Sequence, residues 1–296
     1  MWLVVALSLT IPLGLDFYMP VPEDNPITSE KVELGRRLFQ DRRLSRDGRV
    51  ACVSCHDPRR AFSTRQAQAI GVFNRKGRRN APALINRAWG RAFFWDGRVA
   101  TLEEQVLKPI QDANEMDLTL AEAERRLGLD ATAISSALAS YLRSVLSGDA
   151  PYDRFINGDR GALSQEQQRG LQIFRGNGNC TACHVGPSLS DERLHNTGVA
   201  WREGAFMDPG RFGVTNRPED RGAFKTPTLR EVARTSPYMH DGSLRTLEEV
   251  VNFYSDGGRE NPAQDPEIRP LRLTPAEKRA LVAFLKSLSG TVREGN

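Results

Sequence analysis

Between Thr274 and Gly290 the apolar residues Leu281, Val282, Phe284, Leu285 and Leu288 recur at the three- and four-residue steps of one helical face. Pro275 suits the first turn, where its missing N–H costs nothing, and Gly290 suits the exit. Thr274 is followed by Glu277 at capping-box spacing; Ser164 with Gln167 and Thr119 with Glu122 repeat it. Alternating apolar and polar runs, the mark of half-buried strands, are scarce. The pattern predicts a mainly α protein whose helices are joined by long loops.

The first residues differ. From Trp2 to about Leu15 the chain is largely apolar, short for a bilayer span but suited to the hydrophobic part of an export signal. It lacks a basic leader and a clean small-residue cleavage site, and a buried first helix is the rival reading. Residues 1–16 are expected to be a signal peptide or an N-terminal anchor. No later stretch is apolar enough to span a membrane.

The plan is also written twice. "LGRRLFQD" from Leu34 is echoed by "RGLQIFRG" from Arg169. Further on, "RNAPALINRAWGRAFFWDGRVATLEEQV" from Arg79 is echoed by "FKTPTLREVARTSPYMHDGSLRTLEEVV" from Phe224. The echo pairs Pro82 with Pro227, Asp96-Gly97 with Asp241-Gly242, and Leu102-Glu103-Glu104 with Leu247-Glu248-Glu249. Two related domains explain it, residues 26–157 and 158–292, joined in the turn-rich "NGDRGALS" from Asn157 to Ser164.

A length of 296 residues accommodates two modest domains, and 39% hydrophobic with 26% charged residues is ordinary for a soluble globular chain. The net charge of +4 conceals a crowd of arginines in the first third, from Arg36 and Arg37 to Arg78 and Arg79. No aromatic-interleaved basic motif accompanies them, so nucleic acid is not an expected partner. Carboxylates are, those of a bound cofactor included.

The chemistry lies in "ACVSCHDPRRAF" from Ala51 and "NCTACHVG" from Asn179. These two Cys-x-x-Cys-His motifs use all four cysteines and two of the four histidines. In such a motif the thiols form thioethers with haem vinyl groups and the adjacent imidazole ligates iron. Zinc also takes paired Cys-x-x-Cys motifs, but it does not require a histidine after each second cysteine. Cys52, Cys55 and His56 are therefore read as holding haem 1, and Cys180, Cys183 and His184 as holding haem 2. Each domain becomes a cytochrome c-like unit with one covalently bound c-type haem. Covalent attachment of haem c takes place outside the bacterial cytoplasm, so a periplasmic location is expected.

An electron-carrying haem usually has a second strong ligand, whereas a reactive one leaves that face open. After His56 the first half has no histidine, and its Met116 sits beside acidic Glu115. Haem 1 is expected to be open.

These residues resemble the bacterial di-haem cytochrome c peroxidases and their relative MauG, from about Pro26 to Gly290. The resemblance is carried by both haem motifs, "RNAP", "FFWDGR", "LEEQ", "KTPTLR", "PYMHDG" and the last helix. The typical peroxidases have a distal histidine after the first haem motif; this chain reads "AIGVFNRKG" there, which favours the open haem of MauG. The resemblance implies that Trp95 lies between the haems as an electron relay. It further implies that Gln105 and Glu115 form the polar distal pair, with Pro109 shaping the pocket. A carboxylate at Glu115 suits the proton movement that peroxide cleavage requires.

Three residues compete for the far face of haem 2: Tyr254, Met239 and His240. Tyr254 aligns with the family's ligand position and is preferred, with Met239 the alternative. A calcium ion between the domains is implied at Asn80 and the carbonyls of Thr235 and Pro237. His195, in "LHNTG", is read as structural or near a propionate. The expected function is a peroxidase that reduces hydrogen peroxide at haem 1. Electrons pass through haem 2 and Trp95 from a small redox protein (cytochrome c or cupredoxin) or, MauG-like, from a side chain of a protein substrate that is thereby oxidised. MauG uses a surface tryptophan two residues before its second haem's first cysteine; here Gly178 stands there, which argues against the same substrate. The alternative is a non-catalytic di-haem electron-transfer cytochrome.

Overall fold

The computed structural model describes Leu7 and residues 9–295. In the first half the chain forms α1 (Ser29–Phe39), α2 (Cys52–Cys55), α3 (Leu102–Gln111), α4 (Leu120–Leu127) and α5 (Ala131–Arg143). A short helix, α6 (Pro151–Ile156), leads to α7 (Gln165–Arg175), α8 (Phe212–Thr215), α9 (Leu247–Ser255) and α10 (Pro275–Lys286). Among the described residues six short strands make three antiparallel pairs: β1 (Val145–Gly148), β2 (Leu194–His195), β3 (Trp201–Arg202), β4 (Ala205–Phe206), β5 (Phe224–Lys225) and β6 (Thr291–Glu294). β1 pairs with β6, β2 with β5 and β3 with β4. The architecture is mainly helical with long loops, in two related halves.

Local chemistry explains the helix ends. Ser164 and Gln167 exchange bonds of 2.9 and 3.2 Å at the start of α7, and Thr274 and Glu277 exchange bonds of 2.8 and 3.3 Å at α10. Thr119 makes only half a box. Its hydroxyl accepts from the Glu122 N–H at 3.3 Å, but the Glu122 carboxylate turns to Arg125 and Arg126 at 2.6 and 2.8 Å. Thr246 and Glu249 make a further box at α9, which the spacing rule also fits. α10 stops at Lys286, short of Gly290. The Gly290 N–H instead donates to buried Glu231 at 2.7 Å, and the chain turns into β6.

Each half has its own apolar core, and each core is built on one helix crossing. α1 crosses α5 at Gly35, where a Cβ would overlap the Ala137 carbonyl; α7 crosses α10 at Gly170, where it would overlap the Ala280 carbonyl. The echoed sequences thus hold the same contact twice. The halves also share one pseudo-symmetric seam. The Asn80 N–H donates to the His240 carbonyl at 2.7 Å, and the Lys225 N–H donates to the Trp95 carbonyl at 2.7 Å. Arg79 fastens the seam through Asp96 at 2.6 Å and Asp208 at 2.7 Å.

Residues 9–15 form no helix, so the buried-helix reading of that stretch does not hold; residues 1–6 and 8 lie outside the described residues. Leu13 exchanges backbone and side-chain bonds with Asp149 at 2.9 and 3.0 Å, and Arg230 donates to the Gly14 carbonyl. The end of the expected leader is therefore docked on the folded chain. Among the described residues no helix is long and apolar enough to cross a membrane.

Candidate functional site

The one-turn helix α2 carries Cys52 and Cys55 at its two ends, which brings both sulfurs to one side. His56 follows as its last cap, with Nδ1 held 2.9 Å from the Phe62 carbonyl. The second motif is a 3₁₀ turn, Cys180–Ala182, and His184 Nδ1 is 2.9 Å from the Leu189 carbonyl. In both rings a proton on Nδ1 donates to that carbonyl, which leaves Nε2 available as a metal ligand. Burial holds both imidazoles neutral, His184 down at about 4.

Both motifs line one continuous cavity of about 670 Å³. None of the four cysteines is in a disulfide. Nor do the two pairs converge as a four-thiolate zinc site would. Among the described residues the ligand atoms that do converge belong to Cys183, Asp191 and His195. A haem held by two thioethers and a neutral imidazole fits each motif.

On the first motif's side the cavity is lined by Gln105 and Pro109 of α3 and by Glu115 in the loop that follows. Glu115 is raised to about 7, chiefly by burial and then by Asp112, with Arg98 opposing. Met116 joins the apolar core, 3% exposed, although it too borders the cavity. Trp95 lines the same cavity, its indole N–H donating to the Asn80 carbonyl at 2.8 Å.

On the second motif's side Tyr254, from α9, faces the Cys180 and Cys183 sulfurs, and burial pushes its phenol well above the usual range. Met239 also lines the cavity, from a backbone position at φ 72°. His240 is stacked on Phe224, with ring centres 3.6 Å apart and planes at 10°, and burial lowers it to about 4. Asn80, Thr235 and Pro237 border the cavity together. The Asn80 amide nitrogen donates to the Gln66 carbonyl at 3.0 Å, which leaves its side-chain oxygen available as an acceptor. Neutral oxygen donors of this kind suit calcium. His195 is spoken for: it sits 2.9 Å from Asp191 and 2.6 Å from Asp265. A free Cys183 thiol and then these two carboxylates raise it above the usual imidazole range; with Cys183 as a thioether the carboxylates remain as the cause.

Three features of the site were not read from the sequence. Arg98 lies over Phe94 at 3.5 Å and faces Glu115. Lys225 is buried beside Glu192 at 3.3 Å, and burial followed by the neighbouring Arg87 charge lowers it to about 8. Arg79 spans the two halves. Each lies in or beside an echoed motif, but only the tertiary structure supplies its partner.

The comparisons with known proteins agree with this architecture. Residues 29–161 match the family model described as di-haem cytochrome c peroxidase, and residues 167–289 match cytochrome c. The chain is 37% identical to the methylamine utilization protein MauG of Methylorubrum extorquens over 91% of this chain and 81% of that protein. It is 38% identical to cytochrome-c peroxidase IdrP1 of Denitromonas iodatirespirans over 95% of this chain and 87% of that one. Among solved structures, a MauG-like protein associated with microbial copper homeostasis matches with a TM-score of 0.85 at 33% identity, covering 93% of this chain and 95% of that chain.

Proposed function

The chain belongs to the di-haem cytochrome c peroxidase family, and from that premise we propose that it reduces hydrogen peroxide in its first half. The electrons are drawn through the second half from a small redox protein, a cytochrome c or a cupredoxin, or from a side chain of a protein substrate. Haem c, bound by Cys52, Cys55 and His56 and by Cys180, Cys183 and His184, supplies a redox-active iron in each half.

One observation carries the reading. The echo that relates Asn80 to Lys225 and Trp95 to His240 also relates Pro109 to Tyr254. Both residues line the cavity, each from the helix that follows its half's Asp-Gly turn. Where the second half offers a phenol, the first offers a proline, which has no donor. Tyr254 would then ligate the second iron, with Met239 the alternative, and the first half would keep an open place beside Glu115 and Gln105. Glu115 takes the proton from one peroxide oxygen and returns it to the other, and Gln105 orients the peroxide by hydrogen bonding. Trp95, fixed at both its indole N–H and its carbonyl, relays electrons across the seam. Asn80 and the carbonyls of Thr235 and Pro237 hold a calcium ion that braces this seam. The protein works in the periplasm, since haem c is attached there.

The test is an optical and EPR spectrum of the purified di-haem protein before and after peroxide. One high-spin and one low-spin ferric haem, with rapid reaction, is the expected result. Two low-spin haems and no turnover would make it a plain electron-transfer cytochrome instead.

A further inference from the structure

We propose that the turn at residues 71–75 is a clamp that positions Glu115, with Arg75 as its principal positioning residue. The inference rests on the peroxide-reducing reading above. The segment "AIGVFNRKG" closes on itself through the Gly71 N–H to the Arg75 carbonyl at 2.8 Å. It then grips the loop that carries Glu115 at two carbonyls. The Val72 N–H donates to the Glu115 carbonyl at 2.8 Å, and the Arg75 guanidinium donates to the Ala113 carbonyl at 2.7 Å. Arg75 also reaches the Asp117 carboxylate at 3.0 Å, where Arg46 arrives from a third loop at 3.2 Å. The Arg46 N–H holds the Met116 carbonyl at 2.9 Å, and Asp47 accepts from the Phe73 N–H at 3.2 Å.

The contact is close enough to dictate residue type. A Cβ on Gly71 would overlap the Asn114 and Glu115 carbonyl oxygens. Phe73 and Asn74 both sit at positive φ, 55° and 59°, and a bulky aromatic there is strained by about 1 kcal/mol or more. Phe73 is 53% exposed, so the conformation is not explained by its burial. The bonds to the Glu115 loop explain it.

The clamp matters because a floppy carboxylate would lose both its aim and its dry surroundings. Two charges face Glu115: Asp112 on its own loop and Arg98 from the turn after Trp95. The neighbouring Cys52 and Cys55 sulfurs are uncharged once they are thioethers. Arg75 and Arg46 direct their charge to Asp117. Opening the turn admits water to Glu115 and moves its titration down towards an ordinary carboxylate.

The test is Arg75→Ala in the di-haem protein; the side chain is 43% exposed, so its removal leaves the core intact. The expected result has three parts. Amide hydrogen exchange at Val72 and across 113–117 accelerates, and the peroxide reaction slows about 10- to 100-fold. Its pH midpoint also falls, while the resting ferric spectrum is unchanged because no iron ligand is touched. Gly71→Ala should act in the same direction, and Arg75→Lys, which keeps the charge without the planar fork, should recover part of the rate. A normal rate and midpoint in Arg75→Ala, with Glu115→Gln impaired, overturns the positioning role and leaves the peroxide reading standing. A normal rate in Glu115→Gln overturns that reading, and the clamp's role with it.

Discussion

Glu115 is enclosed beside the first haem motif, where burial and the nearby Asp112 hold it at about 7. A group that must first accept a proton works in its ionised form, which grows as pH rises through that value. The peroxide reaction is therefore expected to climb between about pH 6 and 8, read by stopped-flow absorbance. Glu115→Gln keeps the size and removes the shuttle. Its reaction should be slower by about 100- to 10,000-fold and should no longer follow that titration. At the other motif Tyr254→Phe removes the phenol that faces Cys180 and Cys183. The optical and EPR spectrum of haem 2 should change, and Tyr254→His should restore a low-spin signal. An unchanged spectrum in Tyr254→Phe, with high-spin haem 2 in Met239→Leu, would assign that place to Met239.

At the scale of elements, the two helix crossings are the same device used twice. α1 meets α5 over Gly35, and α7 meets α10 over Gly170, with a carbonyl of the facing helix where a Cβ would go. Adding one carbon at such a crossing forces the helices apart, a cost of about 1–3 kcal/mol. Gly35→Ala and Gly170→Ala should each lower the thermal midpoint by several degrees, seen by circular dichroism. Residues 157–164 are turn-rich in sequence and lie between α6 and α7, although Tyr152 and Phe155 of α6 already pack against the second core. Thr119 was legible as a cap but not as half a box. Its Glu122 has two arginines one turn away, and nothing in a four-residue pattern says which partner a carboxylate will prefer.

Over the whole molecule the halves are not strung end to end. β6, the last strand, returns to pair with β1 at the close of the first half, from Gly148 with Thr291 to Val145 with Glu294. Glu294 also accepts from the Tyr141 hydroxyl at 2.8 Å, and its carbonyl accepts from Arg36 at 3.0 Å. Ending the chain after Gly290 removes this ladder and both anchors. The loss should run to several kcal/mol, at about 1 kcal/mol per bond across the ladder and the two anchors. Urea unfolding monitored at haem 1 would measure it; a midpoint that does not move would show the strand to be ornamental.

By itself the sequence determined the two haem attachments, the mainly helical class and the repeat, because each is written in contiguous residues. Cys-x-x-Cys-His, capping pairs and an apolar face at helical spacing are all local statements. It also showed that the first half has no histidine after His56, and an absence needs no coordinates. What only the tertiary structure decided is who meets whom. Asn80 and Lys225 trade backbone bonds with His240 and Trp95, Arg79 bridges Asp96 and Asp208, and the turn at Gly71 closes on the Glu115 loop. These partners are far apart in the chain, and sequence periodicity carries no information on distance across a fold. The value of about 7 at Glu115 belongs to the same category, since burial comes from the walls around a residue and not from its neighbours in sequence.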